Sequence, residues 1–432
     1  MRTIMKHVRL VDGTGAAAIE DGLLIMRHAE GFNHDHIEYA GAMDETLLTP
    51  LEADDKVLDL QQKYTVLPGL FDAHVHLDLE CPFPAYDDKG PEFRTLMAYR
   101  QCVEALNIGV TSLRNVGAGA NYDMPLKRAF AKNMLCGPNL VVCGGIIMAH
   151  GGHGWNMPNT TECSGTAEFM KAARNQIKMG VDMVKLCYTG GIAGAVEGLQ
   201  DMQMTDEEVA CVIAVTHAAG KKVAAHLSND KAIRRSVELG LDSVEHAYTL
   251  SEETAKMMAE AGTYLTPTLT VSNCEDYYIA HGFPPHQLIK SREAAKTHRA
   301  SIATAVKCGV KICCGTDTLP SDPIDGTNSV VHEIELLTEV GLSPLEAIKA
   351  ATYNSAELCG LEKVTGTLRA GLMGDIIVVE GKPDENIRDL RNLRLVAKNC
   401  RLLWSTLPEM TLRRLSILAP GYEMAGGTFN KW

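Results

Sequence analysis

The side chains able to hold a cation recur in one kind of place along this 432-residue chain. The apolar stretch Leu67-Pro-Gly-Leu-Phe-Asp-Ala-His74-Val-His76 ends in two histidines separated by one residue. Strand side chains alternate with period two, so both imidazoles project from one face, where they can grip a single ion. A second triplet, His34-Asp35-His36, sits in a polar segment with no apolar run behind it, which predicts a solvated loop. Further on, Lys185 lies inside Val181-Asp-Met-Val-Lys-Leu, His226 and His246 each close a short apolar run, and Asp317 follows Cys313-Cys-Gly-Thr. Singly, each has a structural alternative: a satisfied core histidine, or for Asp317 a helix N-cap. Their shared position at the ends of apolar runs favours one metal-centred site instead.

The elements that must position them alternate. Apolar runs at 65–70, 110–116, 140–147, 181–188, 223–226, 243–246, 263–269 and 310–315 are separated by longer amphipathic segments. Strands followed regularly by helices imply parallel pairing through crossover connections, and eight such units predict an α/β chain folded as a (β/α)8 TIM barrel. Thr205-Asp-Glu-Glu208 has the form of a capping box. Gly109, Gly180, Gly220, Gly240, Gly262 and Gly309 each close a helical pattern before an apolar run, as left-handed C-cap residues do. Residues 1–66 and 366–432 carry short strand patterns instead, and they are expected to join as a small β-sandwich domain with a C-terminal tail beside a barrel over 67–365. Chemistry in such a barrel gathers at the C-terminal ends of the strands, where His74, His76, Lys185, His226, His246 and Asp317 all fall.

Composition narrows the function classes. With 46% hydrophobic residues the chain can bury a large core. It holds no apolar run near the roughly 20 residues needed to span a bilayer and no signal-peptide pattern, so a cytoplasmic location is expected. The net charge of −13 and the lack of a basic cluster argue against nucleic acid and anionic membranes as partners. Thirteen cysteines without CxxC spacing read as reduced core thiols.

The order HxH, Lys, His, His, Asp on successive strands, between two β-rich ends, resembles the amidohydrolase superfamily with a binuclear metal centre. The resemblance implies two divalent metal ions, with zinc expected for imidazole and carboxylate ligands. It assigns His74, His76 and Asp317 to one ion and His226 and His246 to the other. It also implies that Lys185 is carbamylated and bridges both; an unmodified ammonium there would repel the ions. Asp317 would be the general base, a water bridging the ions the nucleophile, and hydrolysis of a carbon–nitrogen bond the reaction.

The loop Gly144-Gly-Ile-Ile-Met-Ala-His150-Gly-Gly-His153-Gly-Trp155 resembles the branch of Xaa-Pro dipeptidases, carboxypeptidase-like dipeptidases and ochratoxin-type amidases. A dipeptide or N-acyl amino acid is the implied small-molecule substrate, and a homo-oligomer the implied assembly. His150 and His153 are candidates to hold the substrate, as are Tyr188 and Tyr248, which follow Lys185 and His246. Ser228 stands where some of these dipeptidases carry a tyrosine, and Arg114 is read as structural. The alternative is a cyclic amide hydrolase of the imidazolonepropionase or hydantoinase kind. Deaminase-like relatives usually place a Glu three residues after the strand-5 histidine, and here that residue is Asn229.

Overall fold

The computed structural model describes residues 1–28, 35–78, 90–155, 157, 160–408 and 410–415. The alternating middle of the chain forms two parallel sheets with helices between the strands. One holds Leu70–Val75, Val110–Asn115 and Asn139–Val142. The other runs in the order Thr161–Cys163, Ile147–Ala149, Met183–Cys187, Lys222–Leu227, Ser243–His246 and Tyr264–Thr266. Single backbone bonds cross between these groups: Asp182 N donates to Val142 O at 2.8 Å and Ala73 N to Cys314 O at 2.8 Å. Near-continuous burial along Met183–Cys187 and Ser243–His246 explains why these runs lack alternation, since parallel strands are covered on both faces.

Helix punctuation follows the sequence. The six named glycines all adopt φ between 68° and 92°, which a Cβ would disfavour. Thr205 and Glu208 form the reciprocal capping box at the head of Asp206–Ala218, an arrangement worth about 1 kcal/mol.

Four expectations need correction. The run at 65–70 divides at Gly69: Tyr64–Pro68 pairs antiparallel with Ile376–Glu380, and Leu70–Val75 begins the parallel set. The run at 140–147 becomes two strands, and that at 310–315 forms an isolated bridge from Ile312 to Leu265, with a further backbone bond from Ala73 N to Cys314 O, rather than a full strand. His36 starts the strand His36–Ala42 rather than lying in a solvated loop, while His34 lies outside the described residues.

Strands from both chain ends share one nine-stranded sheet. It is mixed rather than antiparallel, because Arg2–Leu10 runs parallel to Lys56–Asp59 and to Tyr64–Pro68. Alternation divides its side chains: Met5, Val66, Val378 and Leu395 pack in one cluster, whereas Leu67, Ile377, Val379 and Trp404 join the main core with the parallel strands. The same alternation that builds the sheet therefore fastens it to the strand–helix middle. The described cysteines are all free thiols and most are buried.

Candidate active site

The strand Leu70–Val75 loses regular register between Asp72 and Val75, a local irregularity of the kind that re-aims side chains. His74 and His76 then face the same carboxylate, each with Nε2 at 3.5 Å from Asp317 Oδ1. Donor atoms of His74, His246 and Asp317 all lie within 4.8 Å of one another. His226 joins through His246, at 4.4 Å between ring centroids. Lys185 lines the same cavity, which spans about 840 Å³ including its open mouth. All six side chains marked at the strand ends thus converge on one cavity.

Each of the four imidazoles has one ring nitrogen engaged by the protein. His74 Nδ1 donates to Glu245 Oε2 at 2.7 Å, His76 Nδ1 to Gly117 O at 3.2 Å, and His226 Nε2 to Gly190 O at 3.2 Å. His246 Nδ1 shares a 2.7 Å hydrogen bond with the Thr268 hydroxyl. The carboxylate and carbonyl partners leave the lone pair of His74, His76 and His226 on the other ring nitrogen, whereas the Thr268 hydroxyl can serve either tautomer of His246. Burial, reinforced by the nearby Lys185 charge, drives His74 and His246 well below the usual imidazole range and His76 to about 4. Burial does the same for His226. Four neutral imidazoles and one carboxylate form a donor set that suits a divalent cation. Burial also pushes the Asp317 carboxyl up to about 7, against the opposing pull of Lys185.

Two of these residues leave ordinary backbone space. His246 has φ 75° and Asp317 φ 54°, in the left-handed region that costs a non-glycine residue of order 1 kcal/mol. The surroundings hold them there: His298 Nε2 donates to His246 O at 3.0 Å, and Asp317 N donates to His74 O at 2.8 Å.

The sequence reading missed Glu245. It is fully buried, accepts from Arg114 Nη2 at 2.7 and 2.8 Å on its two oxygens, and takes the Ser243 hydroxyl at 2.5 Å. Arg114 Nε also donates to Ala73 O at 2.5 Å, so Arg114 braces the residue before His74 as well as the carboxylate behind it. A buried arginine with no other counter-ion nearby in the sequence was the available signal.

The substrate candidates separate. His153 lines the cavity, stacked on His226 with ring centroids 4.4 Å apart, and its Nδ1 lies 2.7 Å from Glu197 Oε1. Tyr248 also lines the cavity, its ring stacked on His246. Tyr188 does not: the residue after inward-facing Cys187 points the other way, and its hydroxyl reaches Asp206 at 3.4 Å. His150 is exposed beside Glu162 at 3.4 Å and is absent from the cavity lining. Ser228 turns its hydroxyl back to Gly190 O at 2.7 Å, and Asn229 caps the following helix by accepting from Ala232 N at 3.0 Å.

The helix Pro285–Lys307 fastens the upper walls. Lys290 Nζ donates to Gly191 O at 3.0 Å, to Gly194 O at 2.5 Å and to Glu197 O; Gln287 donates to Ala193 O at 3.2 Å; and Ser291 donates to Val271 O at 2.9 Å.

Histidines and a carboxylate gather where the parallel strands end, and the chain belongs to the amidohydrolase family, whose sequence profile matches residues 65–402. It is a hydrolase acting on carbon–nitrogen bonds. Among its relatives, ochratoxinase of Aspergillus niger is 28% identical over 354 residues, covering 75% of this chain and 72% of the relative. The crystal structure of a Xaa-Pro dipeptidase with methionine in its active site superimposes with a TM-score of 0.81 at 26% identity, covering 93% of this chain and 99% of that one. Imidazolonepropionase of Symbiobacterium thermophilum is 27% identical over 169 residues, 38% of this chain and 34% of the relative. Among the described residues no helix is long and apolar enough to cross a membrane.

Proposed function

We propose that the chain is a metal-dependent hydrolase of the amide bond in a dipeptide or N-acyl amino acid. The observation that carries this reading is the arrangement of four neutral imidazoles, each pinned through one nitrogen, around a carboxylate 3.5 Å from two of them. His74, His76 and Asp317 would hold one divalent ion, His226 and His246 a second, with carbamylated Lys185 shared between them and zinc the expected metal. Bound divalent cations acidify a water molecule and polarise the amide carbonyl. Asp317 takes a proton on its carboxylate and returns it to the leaving nitrogen. Tyr248 and His153 contribute the polar groups beside His246 and His226 that hold the carbonyl, with Glu197 fixing the orientation of His153.

The similarity to a Xaa-Pro dipeptidase over nearly the whole chain supports a linear substrate. The cyclic-amide alternative draws on a match to imidazolonepropionase over 38% of the chain. Asn229 has its side chain committed to a helix cap there. As part of the same reading, the parallel strands close into a (β/α)8 barrel over 67–365, supported by the bonds from Ala73 to Cys314 and from Asp182 to Val142, with 1–66 and 366–432 as the second domain.

The test is a panel of dipeptides and N-acyl amino acids offered to zinc-loaded protein, with hydantoins and imidazolones as controls and metal content measured in parallel. Turnover of linear amides with two ions per chain is expected. Turnover confined to the cyclic controls, or protein that binds no metal, overturns the reading.

A further inference from the structure

Above the reactive floor the cavity changes character. Its polar groups, namely the imidazoles, Lys185 and Asp317, lie at the strand ends. Its apolar wall comprises Tyr277, Tyr278 and Phe283, which pack in one cluster, with Val271 and Ile192 beside them, Val271 joined to Tyr278 through its carbonyl. The three aromatic rings pack on one another, with centroids 4.4 Å apart for Tyr278 and Phe283 and 6.2 Å for Tyr277 and Phe283. Both phenol hydroxyls are turned into the protein: Tyr277 donates to Asp322 Oδ2 at 2.8 Å and Tyr278 to Val271 O at 3.0 Å. What they present to the cavity is ring surface. Gln287 is the neutral polar residue of this wall, and its amide already donates to Ala193 O. Among the described lining residues there is no guanidinium, and Lys185 is the only amine, down among the histidines.

A substrate carboxylate seated against this wall would lose its hydration without meeting a cation among the described lining residues, and an isolated buried charge is strongly disfavoured. Rings clustered into one surface suit the offset or edge-on packing of another ring. We infer that the wall is a side-group subsite for an uncharged aromatic or large apolar substituent on one side of the scissile amide, so that any free carboxylate of the substrate lies on the other side. This rests on the amide-hydrolase reading above, and it narrows that reading to substrates with one bulky apolar flank.

The experiment uses full-length zinc-loaded protein and two sets of matched amides. In the first set the acyl group is 3-phenylpropanoyl, succinyl or β-alanyl on a common amine. In the second the amine is phenethylamine, β-alanine or ethylenediamine under a common acetyl group. In at least one set the phenyl arm is expected to exceed both the carboxylate and ammonium arms by at least about 100-fold in kcat/KM, the span a hydrophobic pocket and an unpaired charge together produce. Binding is read separately by calorimetry with the hydroxamates of the three acyl groups, which share a metal-gripping head. Where the acyl set carries the preference, the phenyl hydroxamate is expected to bind tightest. Where the amine set carries it, acetohydroxamates N-substituted with the three amine side groups are expected to show the same order. In either case Phe283→Ala should reduce the phenyl advantage at least about tenfold. Ile192→Lys, at the partly exposed edge of the wall, should shift preference toward the carboxylate arm of whichever set carries the preference. Equal or better performance of the charged arms in both sets and in binding overturns the subsite. No amide turnover with a phenyl preference retained in binding supports the subsite and counts against the hydrolase reading for these amides.

Discussion

Glu245 Oε2 stands 2.7 Å from His74 Nδ1, and the same carboxylate is held from behind by Arg114 at 2.7 and 2.8 Å. The imidazole is therefore fixed in the tautomer that leaves Nε2 free, facing Asp317. Glu245→Gln is expected to weaken metal binding by about 10- to 100-fold, the range found when such supporting partners are lost. It should also destabilise the fold by about 3–5 kcal/mol, because Arg114 is left charged and buried. Zinc retention against a graded chelator separates the two effects. Retention equal to the parent protein would assign Glu245 to the fold alone.

Asp317 occupies left-handed backbone at φ 54°, a conformation asparagine tolerates better than most residues. Asp317→Asn should keep the melting temperature while reducing turnover at least about 10²- to 10⁴-fold, the contribution of a positioned proton carrier. Circular dichroism and initial rates on the same preparation check both halves, and normal activity would remove Asp317 from the mechanism.

Lys185→Ala is expected to lose metal and activity together. Added short carboxylic acids should partly restore both by supplying the missing anion in the vacated space. Metal content at parental levels in the untreated variant would contradict the bridging role.

Glu333 accepts from Leu269 N at 2.8 Å, Thr270 N at 2.7 Å and the Thr270 hydroxyl at 2.8 Å while fully buried. Glu333→Gln turns an NH₂ group toward donors, so a loss of about 1–3 kcal/mol in urea unfolding is predicted. Thr268, which orients His246, lies just before this clasp. Metal affinity should fall with stability here, whereas an unaltered unfolding midpoint would show that the clasp contributes no stability.

The Arg2 guanidinium and backbone hydrogen bonds hold the Asp55 carboxyl at about 2, below its ordinary 3.8. The stabilisation is present above about pH 4 and disappears as pH falls through 2, because protonation of Asp55 dissolves the pair. Acid unfolding followed by circular dichroism should show this slope, and Asp55→Asn should flatten it. An identical acid profile in the variant would place the acid-labile contacts elsewhere.

The floor of the site was legible because its donors are residues of unusual type at the ends of apolar runs, and parallel strands place such ends together. Glu245 escaped because it directly precedes His246, and alternation assigns neighbours to opposite faces. The φ of 75° at His246 breaks that alternation, so both reach the interior. The same rule applied correctly would have excluded Tyr188, which follows inward-facing Cys187. His150 and His153 share the loop that carries the family resemblance, but Gly151 and Gly152 turn the chain between them, leaving one histidine exposed and the other against His226. The wall of Tyr277, Tyr278 and Phe283 has no periodic signature, because tertiary contacts rather than local pattern decide which of its faces meets the cavity.

Lys290, Gln287 and Ser291 tie two separate stretches of that wall to the single helix Pro285–Lys307, while the reactive floor hangs from strand ends. The first turns of this rod can thus be changed to retool what the pocket admits, whereas His298, further along the same helix, supports His246 O and is bound to the ion-holding base. Divergence of specificity among such enzymes then needs few steps, and those steps should collect along residues 285–291 and the segments they tether.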